Sequence, residues 1–153
     1  MEQAFDLTII WAGLIGFGLM MYVLMDGFDL GQGILFPFAP NEKARDTMMN
    51  SVAPIWDGNE TWLVLGGAGL LAAFPLVYSV FLSALYIGVF LLLAGLIFRG
   101  IAFEFRFKAN KSKHLWSWSF AVGSTVASFA QGAVVGAYIQ GFETEGFVYS
   151  GGA

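Results

Sequence analysis

The sequence predicts an all-α membrane protein, a polytopic helix bundle with four transmembrane helices that occupies residues 1–153 as a single domain. Hydrophobic residues make up 58% of the chain and the mean hydropathy is +0.71. Charged residues reach only 12%, against about 25% in soluble domains. Two uncharged runs, residues 7–25 and 62–98, are long enough to cross a bilayer, which takes about 20 apolar residues.

The rest of the composition excludes several functions. The chain has no cysteine, which excludes disulfides, iron–sulfur clusters and thiol catalysis within it. A pI near 4.7 and a net charge of −4 argue against nucleic-acid binding. Residues 1–6 contain no Lys or Arg, and no small-residue cleavage site follows the first apolar run, so a removable signal peptide is not expected.

The four helices are placed by length and by proline. The first is predicted over about residues 7–27. The run 62–98 would measure about 55 Å as one helix, so it must contain two helices, and Pro75 is the natural break. A helix that began at Trp62 would be too short to span, so the second is predicted over about 51–74, with Pro54 in its first turn. The third and fourth are predicted over about 77–105 and 115–140.

The charges predict the orientation. With four spans, the loops around residues 31–50 and 99–114 share one side of the membrane, and the two ends share the other. The first side carries every basic residue: Lys43, Arg45, Arg99, Arg106, Lys108, Lys111 and Lys113. The other side carries only acidic residues: Glu2, Asp6, Glu143 and Glu145. The positive-inside rule therefore predicts a cytoplasmic basic side and periplasmic ends.

The second helix carries the first candidate site. Asp57, Glu60 and Thr61 stand at positions i, i+3 and i+4, so they share one helix face. Acidic groups at membrane depth are costly and commonly mark ion or proton paths. The alternative is that Asp57 and Glu60 simply favour the positive end of a helix at the interface. A helix that excluded Asp57 and Glu60 would be too short to span the membrane, which favours the interpretation as an ion or proton path.

The end of the first helix carries the second candidate site. Asp26 and Asp29 lie one turn apart, and the glycines around them would allow a broken or tightly turned backbone. Calcium is a poor fit, because the twelfth position of an EF-hand loop that starts at Asp26 is Pro37 instead of Glu. Taken alone, the two carboxylates also fit a solvated helix end.

Three further features have ordinary structural interpretations. Arg99 follows the third span, and Glu104 pairs with Lys108 at i, i+4, as in a helix that extends into the cytoplasm. His114 is the only histidine, so the chain offers no pair of imidazoles for a haem and no metal site. Small residues recur every four positions in the fourth helix and predict close helix packing: Ser124, Ser128, Gly132 and Gly136.

Several motifs resemble subunit II of cytochrome bd-type quinol oxidases. They are Asp-Gly-Phe-Asp-Leu-Gly at 26–31, Ala-Pro-Ile-Trp-Asp-Gly-Asn-Glu-Thr-Trp-Leu at 53–63, Phe-Pro-Leu-Val-Tyr at 74–78 and Phe-Arg-Gly-Ile-Ala-Phe-Glu-Phe-Arg at 98–106. The motifs match the family in order and spacing over about residues 15–142. The sequence of residues 29–35 is more similar to the cyanide-insensitive branch of the family.

This resemblance implies a non-haem subunit of a bacterial terminal oxidase in the inner membrane. The complex oxidises quinol, reduces oxygen to water and takes protons from the cytoplasm; haem b and haem d belong to subunit I. Subunit II stabilises subunit I and supplies acidic residues for proton uptake. The matching positions are Asp26, Asp29 and Asp57, with Trp56 and Asn59 as neighbours, and the resemblance places Arg99 and Glu104 at structural or interface positions. The resemblance leaves open whether this subunit also binds a structural quinone or lipid.

The length departs from the family pattern. The family chain has eight spans, so this sequence resembles its N-terminal half. Two other functions therefore stay open: a proton or cation channel or transporter fragment, suggested by the intramembrane carboxylates, and a purely structural scaffold, suggested by the small-residue stripe. No internal repeat relates the first two helices to the last two, which argues against a transporter.

Overall fold

A computed structural model describes residues 6–141, 144–145 and 148–149. It confirms the helical fold class, with five helices and a short 3-10 turn. In chain order these are α1 (Leu7–Leu35), the turn Phe36–Phe38, α2 (Glu42–Val52), α3 (Trp56–Ala73), α4 (Pro75–Phe105) and α5 (Lys113–Gln140). Two antiparallel strands of two residues each follow, β1 (Thr144–Glu145) and β2 (Val148–Tyr149).

Within the part of the chain that the structure describes, three helices are long and apolar enough to cross a membrane: α1 together with the turn that follows it, α4 and α5. The second predicted span corresponds to α3, which has 18 residues. Its first turns carry Asp57, Asn59 and Glu60, which lower its mean hydropathy. Four spans and periplasmic ends therefore remain predictions. Glu2 and Glu143, which contribute to the orientation argument, lie outside the described residues.

Helix α1 is longer than the sequence predicts. It continues through Asp26 and Asp29 to Leu35, about 43 Å in all, and its glycines do not break it. Gly33 packs against α5 so closely that a Cβ there would lie within 2 Å of the Ser124 hydroxyl, at 1.9 Å. Packing at such contacts offsets the low helix propensity of glycine, about 1 kcal/mol per residue. The predicted helix end near residue 27 is therefore wrong, and both aspartates lie inside the helix.

The segment before α3 also differs from the prediction. Residues 51–73 do not form one helix; α2 ends at Val52, a turn holds Pro54, and α3 begins at Trp56. Proline has no N–H to donate to the helical ladder, and Ile55 departs from helical geometry with φ −125° and ψ −17°. Helix α2 was not expected from the sequence, although Asn41 caps its first turn by accepting a hydrogen bond from the Ala44 amide at 2.9 Å.

The second half of the described chain agrees better with the sequence. The break at Pro75 is confirmed, since α3 ends at Ala73 and Pro75 opens α4. Helix α4 is kinked at Leu85, whose backbone has φ −119° and ψ 16°. Helix α5 covers the predicted fourth span and starts two residues earlier, at Lys113.

Helices α4 and α5 pack through small residues. A Cβ on Gly123 would lie 2.6 Å from the carbonyl oxygen of Gly95, so only glycine allows this approach of the two backbones. The packing face of α5 consists of Phe120, Gly123, Ala127 and Ala130, which are all buried. Of the predicted stripe, Ser124 is buried and Ser128 is half-buried, whereas Gly132 and Gly136 are exposed with no atom within 4 Å of an added Cβ. Packing through these two glycines stays a prediction.

Candidate functional site

The candidate site starts from the buried face of α1. Because α1 stays helical past residue 27, Tyr22, Asp26, Asp29 and Gly33 recur at helical spacing on one stripe, and all four are buried. The two aspartates, expected near a helix end, have no exposed surface. Burial of an ionised carboxylate is unfavourable unless partners stabilise it, so the neighbouring helices decide the chemistry.

Arg99 of α4 joins two carboxylates from two other helices. Its Nη2 atom lies 2.6 Å from Asp26 Oδ1 on α1 and 2.9 Å from Glu60 Oε2 on α3. Arg99 and Asp26 are fully buried, and the Glu60 side chain is 24% exposed. The sequence suggested that Arg99 snorkels at the end of a span; instead it is a central member of this group, which we call the Arg99 cluster (Asp26, Asp29, Asn59, Glu60 and Arg99).

Asp29 completes the Arg99 cluster through an amide. The side chain of Asn59 donates a hydrogen bond from Nδ2 to Asp29 Oδ2 at 2.9 Å, and Asn59 is only 5% exposed. Asn59 and Glu60 are consecutive in α3, so one turn of this helix supplies partners to both aspartates of α1. The cluster therefore brings together three carboxyl groups and a single guanidinium.

Several polar atoms of this region lack a partner. Among the described residues, buried side-chain atoms without a hydrogen-bond partner are Tyr22 OH, Asp26 Oδ2, Asp29 Oδ1, Arg99 Nε and Nη1, and Ser124 Oγ. Four of these six atoms belong to the Arg99 cluster. Most buried polar groups in proteins are hydrogen-bonded, so a concentration of unpaired ones singles out this cluster as a candidate site.

Asp57 lies apart from the cluster. It is in the first turn of α3, it is exposed, and its side chain forms no hydrogen bond or ion pair within the described chain. Its backbone carbonyl accepts a hydrogen bond from Thr61 Oγ1 at 2.7 Å. Asp57 and Glu60, which the sequence places on one helix face, differ in their surroundings, because Glu60 binds Arg99. Trp56 packs inward and stacks on Phe103 with ring centroids 5.0 Å apart.

A second ionic group, which sequence reasoning missed, lies at the end of α4. Arg106 is fully buried and uses all three nitrogens: Nε donates to Ser117 at 2.9 Å, Nη1 to Asp46 at 2.6 Å and Nη2 to Glu42 at 3.1 Å. Lys113 also pairs with Asp46, at 3.0 Å. This Arg106 cluster (Glu42, Asp46, Arg106, Lys113 and Ser117) joins α2 to α4 and α5. The i, i+4 spacing of Glu42 and Asp46 on α2 is the signal that could have revealed it.

The remaining candidates are peripheral. Glu104 pairs with Lys108 at 3.0 Å, as the sequence predicts, and both side chains are exposed. His114 is exposed and accepts a hydrogen bond from Trp118 Nε1 at 3.0 Å. Among the described residues, no group of three or more His, Cys, Asp or Glu side chains is arranged to hold a metal ion.

The fold and the site define the class of protein: an integral membrane protein of long apolar helices with ionisable groups buried between them. Comparison with known proteins identifies the family. The family model for cytochrome bd terminal oxidase subunit II matches residues 7–152. The chain therefore belongs to this family, whose members are subunits of an oxidoreductase complex, and the resemblance found in the motifs is confirmed.

Individual relatives agree with this assignment. The chain is 39% identical over 138 residues to cytochrome bd-I ubiquinol oxidase subunit 2 of Escherichia coli K12, a match that covers 88% of this chain and 36% of the relative. It is 36% identical over 128 residues to cytochrome bd ubiquinol oxidase subunit 2 of Bacillus subtilis, with 82% and 38% covered. The chain thus spans little more than a third of the length of these curated relatives.

Proposed function

We propose that this chain acts within subunit II of a bd-type terminal oxidase in the bacterial inner membrane. In this proposal the chain binds no haem of its own, and haem b and haem d reside in the partner subunit I, which it stabilises. Quinol and oxygen are the substrates of the complex, and acidic residues of this chain take up protons from the cytoplasm. A structural quinone or lipid bound by the subunit belongs to the same proposal.

The observation that carries the proposal is the Arg99 cluster. Three carboxyl groups, from Asp26, Asp29 and Glu60, are gathered between apolar helices around one guanidinium. Ionisable groups inside a membrane are expensive and commonly mark proton relays. With more carboxyl groups than cations, the cluster has the capacity to gain and release a proton.

The carboxyl groups become more buried from α3 to α1, and this order supports a direction for the proton path. Asp57 is exposed in the first turn of α3, and Glu60 follows one turn later with a side chain 24% exposed. Asp26 and Asp29 are fully buried. With the basic side of the chain in the cytoplasm, we infer that protons enter at Asp57, pass to Glu60 and reach the aspartates of α1.

A structural role is the second candidate, and the contacts of Arg99 favour it. Arg99 links α1, α3 and α4, so the same cluster could hold three helices together without moving protons. The two functions differ in what happens when a carboxylate becomes an amide of the same shape. A relay that starts at Asp57 needs its titratable proton, whereas a scaffold held by the ion pairs of Arg99 does not involve the Asp57 side chain.

The test uses Asp57→Asn in the oxidase complex that carries this chain, with Glu104→Gln as a matched control. We expect Asp57→Asn to leave the haem spectrum intact and to slow quinol-driven oxygen consumption by roughly tenfold or more, because positioned proton-transfer groups contribute at least that much. Glu104→Gln removes an exposed carboxylate on the same side of the protein and should leave the rate unchanged.

The other outcomes are equally informative. Unchanged turnover in Asp57→Asn would remove this residue from the path, and parallel loss of haem and activity would make it an assembly residue. Reduced-minus-oxidised spectra of membranes that contain this chain, the haem-bearing partner or both test the haem assignment. Haem bands from this chain alone would contradict the proposal.

A further inference from the structure

An apolar groove lies between the turn that follows α1 and the outer face of α5. It has a volume of about 300 Å³, and its walls include Ile34, Phe38, Val122 and Val126. Phe38 is 80% exposed and Val122 is 51% exposed, so the groove opens sideways from the helix bundle. Exposed apolar side chains therefore border this lateral opening.

A smaller polar recess continues the groove toward the basic end of the bundle. It measures about 120 Å³ and shares Pro37 and Trp118 with the groove. Its other walls include Arg45, His114 and Ser117. An apolar slot thus joins a polar mouth, with the Trp118 indole where the two meet, as is typical of tryptophan at a membrane interface.

The surroundings of the mouth are positively charged. Residues 41–46 and 104–114 contain six Lys or Arg residues against three carboxylates. Glu42, the acidic residue in the wall of the recess, is already paired with Arg45 and Arg106. Lys43 and Lys111 belong to these two segments and form no ion pair within the described chain, so the segments carry an excess of positive charge.

We propose that the groove and its mouth bind one anionic phospholipid of the basic-side leaflet. An acyl chain lies along Ile34, Val122 and Val126, and the phosphate lies at Arg45 and His114. The positive charge selects an anionic lipid over a zwitterionic one and over a quinone, whose head group is neutral. Basic residues near a membrane surface attract anionic lipids with about 1 kcal/mol each, which is about a fivefold preference per charge. No residue of the Arg99 cluster lines this site.

Photo-crosslinking tests the proposal in the purified native complex. Benzoylphenylalanine replaces Phe38 at the rim of the groove, and the complex is reconstituted in nanodiscs with equal amounts of phosphatidylglycerol and phosphatidylcholine. Mass spectrometry of the adducts then identifies what occupies the groove. We expect phosphatidylglycerol adducts to exceed phosphatidylcholine adducts about fivefold. The same probe at Phe129, which is 76% exposed on α5 away from the groove, should report the bulk ratio.

Charge variants sharpen the test. Arg45→Gln should bring the adduct ratio at position 38 close to one, whereas Arg45→Lys should retain the preference and so distinguishes charge from misfolding of α2. Lys108→Gln, which removes an exposed cation outside the groove, should have no effect. An equal lipid ratio at positions 38 and 129, or adducts to a protein segment at position 38, would overturn the proposal.

Discussion

Arg99 lies in α4 and Arg106 is the residue that caps its C-terminal end. The two arginines are seven residues apart, about two helical turns, and both are fully buried. Arg106 pairs every one of its nitrogens, and its carboxylate partners Glu42 and Asp46 are 56% and 38% exposed. Arg99 pairs only Nη2, its Nε and Nη1 are unpaired within the described chain, and its partner Asp26 is fully buried.

The difference separates an anchor from a candidate site. Arg106 has a partner for each of its side-chain nitrogens, as expected of a structural arginine, and it holds α2 against the ends of α4 and α5. Arg99 stays partly unsatisfied among carboxyl groups that also have unpaired oxygens. Buried polar groups left unpaired cost free energy, so their presence here favours a role beyond packing.

The largest effect is expected from Arg99→Met. This change leaves Asp26 buried without its cation, which costs about 3–5 kcal/mol, and thermal unfolding in detergent should show a strongly lowered midpoint. The double variant Arg99→Met with Asp26→Leu removes both charges and should recover most of the loss. A single variant as stable as the wild type would mean that the ion pair contributes nothing to the fold.

A smaller effect is expected from Arg106→Met. The Glu42 and Asp46 carboxylates reach water without their partner, so the loss should be about 1–3 kcal/mol, the scale of hydrogen bonds to charged groups. The damage should be local, with faster proteolysis of residues 39–55 and unchanged cleavage elsewhere. A loss equal to that of Arg99→Met would remove the distinction between the two clusters.

Acid should weaken the ion pairs of the Arg106 cluster within a defined pH range. The hydrogen bond from Arg45 holds the pKa of Glu42 below its ordinary value of 4.5. Partial burial raises the pKa of Asp46, but hydrogen bonds from Lys113 and Arg106 outweigh it, so the net pKa lies below 3.8. A carboxyl group whose pKa is lower in the folded protein than in the unfolded chain stabilises the fold fully at pH values above its unfolded pKa. This contribution is lost as the pH falls through the folded pKa.

Hydrogen exchange of the α2 amides, corrected for intrinsic rates, measures this effect. Protection should be constant from pH 7 to about 5 and should fall below about 4, near the ordinary carboxyl values. Arg106→Met should show low protection at every pH. Loss of protection already near pH 6 would assign the transition to other groups.

The smallest effect is expected from Glu104→Gln. Glu104 and Lys108 are 69% and 74% exposed, and exposed ion pairs are worth about 0–1 kcal/mol. The unfolding midpoint should stay within error of the wild type. A loss comparable to that of Arg106→Met would show that burial is not what distinguishes these ion pairs.

The sequence predicts local features of this chain well. Proline and run length place the break at Pro75 and the start of α5 within two residues, and the i, i+4 rule predicts the pair of Glu104 and Lys108. These features depend on neighbours in the chain. The motifs at 26–31 and 53–63 also identify the family, because they are short and contiguous.

Other features depend on contacts that are distant in sequence. Helix α1 continues through Gly33, whose close packing on α5 compensates for its low helix propensity. Arg99 lies 73 residues from Asp26 and 39 from Glu60, so no local pattern predicts which carboxylates it joins. The same holds for Arg106 and Asp46, 60 residues apart.

By itself, the sequence determined the helical membrane class, the family and the positions of the acidic residues, because composition, run length and motifs are properties of contiguous residues. Only the tertiary structure decided which of these residues form a site. In the fold, Asp26 and Asp29 are buried, Glu60 pairs with Arg99 and Asp57 is exposed. A carboxylate buried among apolar helices needs a cation as partner, and helix packing decides which neighbouring helix supplies it.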